Sequence, residues 1–132
     1  MSHQGTNMKK DESVNVFGDP LEMCGDQPMT GYYRDSYCNT CNEDTGSHTV
    51  CAEMTQLFLD YSKAKGNDLS TPAPQFGFAG LNAGDSWCLC AARWFEAYES
   101  GAAPLVYLDR THQRALDIIP LETLEKFAVG SQ

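Results

Sequence analysis

The alternation of apolar and polar positions predicts two amphipathic helices in this chain. Apolar residues recur every three or four positions across residues 47–66, which predicts a first helix. A second stripe covers residues 85–101 and carries Trp87 and Trp94. Because two indole rings bury a large apolar area, we expect the second helix to contribute most to the core.

Shorter segments have the composition of strands, and Pro120 is suited to begin a last helix in which Leu121, Leu124 and Phe127 dock. The predicted strands cover residues 14–17, 32–37, 104–108 and 116–119. Helices and strands interleave without the regular alternation of a doubly wound parallel sheet. The pattern therefore predicts an α+β fold, a two-layer sandwich of a small mixed or antiparallel sheet packed against two main helices.

The domain boundaries follow from the first residues of the chain. Residues 1–12 are polar and lack periodicity, which predicts a disordered tail. The chain has 132 residues, of which 42% are hydrophobic, and this is enough for one folded core. We expect residues 13–132 to form a single α+β domain.

Charge and targeting signals narrow the classes of partner. The chain has 9 Lys and Arg against 18 Asp and Glu, a formal net charge of -9, so nucleic acid and anionic membrane surfaces would be repelled. The polar N-terminus lacks the apolar segment of a secretory signal, and no apolar run approaches the length of a membrane span. We therefore expect a cytoplasmic protein that binds neither nucleic acid nor membrane.

The six cysteines are the most conspicuous chemical groups. The cytosol is reducing, so they are expected to be free thiols, metal ligands or reactive thiols. Cys38 and Cys41 have the spacing of a metal knuckle, and a Cys3His zinc site would use Cys38, Cys41, His48 and Cys51. The alternative is that these are inert packing thiols, because Cys51 lies on the apolar stripe of the predicted first helix. No other cofactor is evident.

A single reactive thiol is a second reading of the cysteines. Cys88 falls in the first turn of the predicted second helix, where the helix dipole stabilises a thiolate. It is the candidate catalytic or redox residue, whereas Cys90 falls on the buried stripe and is expected in the core. The base would be His48 or His112. Glu43 and Asp44 beside His48 are read as solvated surface in preference to a calcium site.

A long irregular segment, residues 67–85, is rich in glycine and proline. Segments of this length without regular structure are usually functional or flexible, so we expect it to form the rim of a small-molecule pocket. Arg93 would hold a carboxylate or phosphate there, with a structural salt bridge as the alternative. The candidate ligand-binding residues are Phe76, Phe78, Asp85, Trp87 and Arg93.

These readings give four hypotheses for function. Small-ligand binding comes first because it requires the fewest specialised residues. A thiol-dependent enzyme or redox protein using Cys88, with His48 as a candidate base, and a cysteine-ligated zinc protein are the alternatives. A homo-oligomer or adaptor with an exposed aromatic face is the fourth.

Five sequence strings carry a family resemblance: NVFGDPLEMC, DQPMTGYYRD, HTVCAEMT, KGNDLSTPAPQFGFAGL and GDSWCLCAARWFEA. Together they make residues from about 14 to about 128 similar to a mainly bacterial family of uncharacterised proteins, the domain of unknown function 2237. The resemblance implies a two-layer α+β fold and no particular reaction, substrate or cofactor. It also implies glycine at the position of Cys41, which weakens the predicted zinc set.

Overall fold

A three-stranded antiparallel sheet lies at the centre of the computed structural model, which describes residues 10–130. Its strands are β1 (His48–Glu53), β2 (Ser86–Cys90) and β3 (Leu105–Val106), in the spatial order β2-β1-β3. Successive side chains of a strand point to opposite faces. Val50 of the middle strand therefore joins the main apolar core, while Cys51 lies in a separate cluster of cysteines.

Three α-helices complete the fold: α1 (Gln56–Ala64), α2 (Ala91–Glu99) and α3 (Leu121–Glu125). They share one apolar core with the sheet, and its largest fully buried side chains include Trp94, Phe58, Met54, Leu59, Leu81, Leu89, Ile119 and Leu124. This arrangement confirms the predicted α+β fold. No helix within residues 10–130 is both long enough and apolar enough to cross a bilayer.

The first predicted helix is wrong over its N-terminal part. Residues 48–53 form β1, and the helix begins at Gln56 after Thr55, whose Oγ1 accepts a hydrogen bond from the Phe58 amide at 3.1 Å. The middle strand of a sheet is buried on both faces, so its apolar run also contains residues at helical spacing. The predicted end is confirmed, since Gly66 adopts a φ of 88° directly after the last turn.

The second predicted helix is wrong in the same way. Residues 86–90 form β2, and only Ala91–Glu99 are helical. Trp87 and Leu89 face the main core, whereas Cys88 faces the cysteine cluster. Cys88 therefore lies within a strand and not in the first turn of a helix.

Among the shorter segments, the C-terminal predictions hold better than the N-terminal ones. Residues 14–17 form isolated bridges instead of a regular strand, and residues 32–37 form turns and bends. The segment 116–119 overlaps a 3-10 helix, Gln113–Asp117. The strand predicted at 104–108 is confirmed as β3, and α3 follows Pro120 as predicted.

The predicted polar tail is described only from residue 10 onward, and residues 1–9 lie outside the described residues. Asp11 donates its amide to the Thr40 carbonyl at 2.8 Å, and its carboxylate pairs with Arg114. The Glu12 carbonyl accepts a hydrogen bond from His112. These contacts attach residues 11 and 12 to the domain.

His112 is buried, and its hydrogen bonds fix the neutral form of the ring. Nε2 donates to the Glu12 carbonyl at 2.8 Å, and Nδ1 accepts from the Arg114 amide at 3.0 Å. Burial lowers the pKa of His112 below its usual 6.5. The unfolded chain therefore binds this proton at a higher pH than the folded chain does, and the folded state loses stability as pH falls below 6.5.

We expect His112→Gln to remove this part of the pH dependence, because an amide can donate to the Glu12 carbonyl without titrating. The measurement is the free energy of unfolding in urea, taken in steps from pH 7.5 to pH 5 for both proteins. The wild-type free energy should fall more steeply with decreasing pH than that of the variant. Equal slopes for the two proteins would contradict the assignment.

Candidate functional site

Four of the six cysteines are paired in disulfides, Cys24–Cys51 and Cys38–Cys88. Cys51 and Cys88 lie directly opposite each other on β1 and β2, and each is bonded to a cysteine of the N-terminal loops. All four are buried. The expectation of free thiols is wrong for these four and holds for the other two, Cys41 and Cys90.

The sulfur atoms of Cys24, Cys38 and Cys88 lie within 4.8 Å of one another, close enough to bind one metal ion. The predicted zinc set, by contrast, is not brought together. Cys38 and Cys51 are each bonded to a cysteine outside that set, and Cys41 is a separate buried thiol. The fourth predicted ligand, His48, is hydrogen-bonded to Asp44.

Cys90 lies at the junction of a strand and a helix. It is the last residue of β2 and the N-cap of α2, and its thiol is partly buried. In the antiparallel ladder it is the partner of His48, next to a bulge between His48 and Val50. Directly paired residues have Cβ atoms about 5 Å apart on one face. The fold therefore places Cys90 and His48 at neighbouring positions of the ladder, beside the same cavity.

Asp44 holds the imidazole of His48 from behind. The Nδ1 atom of His48 lies 2.7 Å from Asp44 Oδ1, and the His48 amide donates to Oδ2 at 2.9 Å. Thr40 Oγ1 also donates to Oδ2, at 3.0 Å. The Asp44 side chain is only 1% exposed, whereas that of His48 is 42% exposed. A carboxylate can only accept, so Nδ1 carries the proton and Nε2 is available as a base.

Two further contacts fix the plane of the His48 ring. Gly46 packs against it so closely that a Cβ on Gly46 would lie 2.9 Å from His48 Cε1. The Tyr32 ring stacks on the His48 ring, with the two centroids 6.3 Å apart and an interplanar angle of 24°. A side chain at position 46 would push the ring away from its place.

His48 and Cys90 line the same cavity, of about 250 Å3. The Arg34 guanidinium lies over the Trp87 ring at 5.2 Å and donates to the Gly31 carbonyl at 3.2 Å. Among the described residues of the wall, Arg34 is the permanent cation and no carboxylate is present, so the wall favours an anionic group. The wall consists of Gly31, Tyr32, Arg34, His48, Asn67, Leu69, Trp87, Cys88, Leu89 and Cys90.

The loop that carries Arg34 is a tight turn built on Gly31. Gly31 has a φ of 98°, and a Cβ there would lie 2.4 Å from the Tyr37 carbonyl oxygen. Thr30 fixes the same loop to the sheet, because its Oγ1 accepts from the Cys88 amide at 2.9 Å. Both contacts hold Arg34 beside the edge of β2.

A second cavity, of about 330 Å3, lies along the other end of β2. Cys24 reaches its wall, together with Ser86 of β2 and Arg110. Asp26 and Asp85 supply carboxylates to the same wall. One residue of the cysteine cluster therefore borders a cavity whose wall carries charges of both signs.

The structure disperses the predicted ligand-binding residues. Trp87 lines the first cavity, and Phe78 packs edge-on against it at 5.7 Å. Asp85 lines the second cavity, and its carboxylate accepts from the Asn82 amide. Phe76 is 82% exposed. Arg93 lies on the surface of α2, 3.7 Å from Glu96, which matches the salt-bridge alternative.

Sequence reasoning missed Cys90, Asp44, Tyr32 and Asn67 as neighbours of the cavity. Cys90 was assigned to a buried helical stripe because residues 86–90 were read as helix. Strand periodicity places Cys90 on the same face as Cys88, and this was the signal that the helical interpretation removed. Asp44 is buried rather than part of a solvated surface, and no pattern in the sequence predicts this.

A protein-family model described as "Uncharacterized protein conserved in bacteria (DUF2237)" matches residues 14–128 of the chain. The matched range agrees with the range covered by the resemblance of the sequence strings. No curated protein matches the chain. The comparisons therefore support the family and leave the chemistry of the site to the geometry above.

Proposed function

The chain belongs to the DUF2237 family of uncharacterised bacterial proteins, and we propose that it is a thiol-dependent enzyme with Cys90 as its nucleophile. One observation carries the proposal. Cys90 is the ladder partner of His48 and lines the same cavity, and His48 Nδ1 lies 2.7 Å from the buried carboxylate of Asp44. A nucleophile, a base and a group that orients the base are the parts that thiol catalysis requires.

The position of Cys90 at the start of α2 supports the same role. Peptide dipoles at a helix N-terminus stabilise negative charge, and a thiolate there is favoured over one in a strand. Cys90 is only partly buried and lines the first cavity, which gives a small molecule a way to approach it. Cys88 cannot serve as the nucleophile while its sulfur is bonded to Cys38, so the proposal assigns this role to Cys90.

The reaction we propose is covalent transfer through a thioester or related adduct. Cys90 Sγ attacks an electrophilic carbon of the substrate, and its proton passes to His48 Nε2. The new S–C bond replaces the bond to the leaving group, which takes the proton back from His48. Water, deprotonated by His48, then cleaves the S–C bond and restores the thiol. Asp44 stabilises the imidazolium at each stage.

Arg34 indicates the class of substrate. Its planar guanidinium suits a carboxylate or phosphate, and the Trp87 ring beneath it limits its freedom. A cavity of about 250 Å3 suits a small molecule. The expected substrate is therefore a small electrophile with one anionic group, which retains the small-molecule pocket within the enzyme hypothesis.

The test is site-resolved alkylation of the native chain with iodoacetamide at neutral pH, followed by peptide mass spectrometry. We expect Cys90 to react at least about tenfold faster than the same thiol in the urea-unfolded chain, because His48 can take its proton and the start of α2 favours negative charge on an attacking sulfur. His48→Gln should bring the rate close to the unfolded value. Cys41, which is buried, is the internal control and should be protected. A Cys90 rate no greater than that of the unfolded chain would disprove the proposal.

The anionic reagent iodoacetate tests Arg34 in the same experiment. Arg34→Gln should lower the rate with iodoacetate several-fold relative to the rate with iodoacetamide. Arg93→Gln is the matched control, because it removes the same charge from the exposed face of α2. Equal effects of the two variants would mean that only the overall charge matters, and the anion subsite would be rejected.

A further inference from the structure

We propose that Cys24, Cys38, Cys51 and Cys88 form a four-cysteine zinc site in the reduced chain. The two disulfides are then the oxidised, metal-free form of the same cluster. The proposal concerns the buried face of the sheet and does not depend on the role of Cys90. It also differs from the zinc set predicted from sequence, since it includes neither Cys41 nor His48.

The convergence of the sulfur atoms is the first argument. Two independent cross-links need only bring each sulfur to its own partner. Here atoms from both disulfides meet, because Cys24, Cys38 and Cys88 lie within 4.8 Å of one another and Cys51 is bonded to Cys24. With Zn–S bonds of about 2.3 Å, a tetrahedral site places its sulfur atoms about 3.8 Å apart. The Cys51 sulfur lies 2.05 Å from that of Cys24, so the fourth sulfur adjoins this group of three.

The backbone around the cluster is held by hydrogen bonds that do not involve sulfur. The Cys51 amide donates to Thr111 Oγ1 at 3.1 Å, and the Cys88 amide donates to Thr30 Oγ1 at 2.9 Å. The Cys24 amide donates to the Ser36 carbonyl at 2.8 Å. None of these bonds uses a sulfur atom, so reduction of the disulfides removes neither their donors nor their acceptors. Such outer contacts are what orient the ligands of a metal site.

The second cavity supplies a route for the ion. Cys24 lies on its wall, and the carboxylates of Asp26 and Asp85 there attract a divalent cation. Four thiolates and one Zn2+ carry a net charge of -2, which is costly in a buried cluster. Arg110 on the same wall offsets part of that charge.

The conversion is balanced by a dithiol reductant. Each disulfide takes two electrons and two protons from one dithiol, which becomes a disulfide itself, so two dithiols yield four cysteine thiols. Zn2+ then replaces the four thiol protons and binds four thiolates. Oxidation by a disulfide reverses both steps and releases the ion.

The experiment measures zinc bound by the full chain in two redox states. Native protein is reduced anaerobically with a phosphine, incubated with excess Zn2+, desalted and analysed for metal and protein. We expect about one zinc ion per chain after reduction and less than a tenth of that in the oxidised protein. Substituting Co2+ should give the thiolate-to-cobalt charge-transfer absorption of a tetrahedral sulfur site. A reduced chain that binds no more zinc than the oxidised chain would overturn the proposal, whether or not it stays folded.

Variants locate the ion. Cys88→Ser should lose stoichiometric zinc, whereas Cys90→Ser, two residues along the same strand, and Cys41→Ser should keep it. Cys24→His retains a zinc ligand in case the serine variant fails to fold, and it should bind Co2+ with a spectrum shifted toward three sulfurs and one nitrogen. Loss of zinc in Cys90→Ser or Cys41→Ser, or an unchanged cobalt spectrum in Cys24→His, would place the metal elsewhere and disprove the assignment.

Discussion

Replacing Trp94 with alanine is expected to destabilise the fold by about 3–5 kcal/mol, the usual cost of deleting a fully buried indole. Trp94 of α2 is completely buried in the main core. Its ring stacks on Tyr98 at 5.7 Å and meets the edge of Phe127 at 5.5 Å. Its Nε1 donates to the Pro104 carbonyl at 3.1 Å. The free energy of unfolding in urea measures the effect.

Two further variants separate the contributions. Trp94→Phe keeps an aromatic ring but leaves the buried Pro104 carbonyl without its donor, so we expect a loss of about 1–3 kcal/mol. Phe76→Ala removes an aromatic side chain that is 82% exposed and should change stability by less than about 0.5 kcal/mol. A loss for Phe76→Ala comparable to that for Trp94→Ala would mean that burial does not govern these aromatic positions.

Helix ends were easier to predict than helix starts, and the reason is physical. Gly66 and Gly101 have positive φ values, a conformation that favours glycine and stops a helix wherever it occurs. The starts at Ser47 and Asp85 are predicted from apolar spacing and from the capacity of these two side chains to cap a helix. That spacing does not distinguish a helix from a strand buried on both faces, and here both strands run directly into helices.

The same ambiguity decided what could be foreseen of the candidate site. His48 and Trp87 were identified from sequence, and both line the first cavity. The helical interpretation predicts a reactive thiol at Cys88 and a buried one at Cys90. The structure instead buries Cys88 in a disulfide and leaves Cys90 as a free thiol. In the strand, Cys88 is covered by the loop that contains Cys38, whereas Cys90 ends the strand at the cavity. Pairing between residues distant in the chain sets this difference, because strand periodicity alone places both cysteines on one face.

The N-terminal loops connect the cysteine cluster with the first cavity. Gly31, Tyr32 and Arg34 line that cavity and lie in sequence between Cys24 and Cys38. Both of those cysteines are tied to the sheet by disulfides. The segment has no regular strand or helix among its described residues, so its position depends strongly on its cross-links. The state of the buried sulfurs therefore bears on the geometry around Arg34.

Removing the Cys38–Cys88 disulfide with paired alanines is expected to cost about 4 kcal/mol in oxidised, metal-free protein. The bridge spans 50 residues, and a cross-link of that span restricts the unfolded chain by about this amount. The Cys24–Cys51 bridge spans 27 residues and should contribute slightly less, about 3.5 kcal/mol. Urea unfolding of each paired variant without reductant measures both values.

The matched control is the pair Cys41→Ala and Cys90→Ala, which removes two thiols and no bridge. We expect it to cost about 1 kcal/mol, from the lost burial of Cys41. The contrast isolates the cross-link from the loss of sulfur, because both doubles delete the same atoms. If the control pair cost as much as the Cys38 and Cys88 pair, the bridge would contribute nothing. The loop that carries Arg34 would then be held by its hydrogen bonds alone.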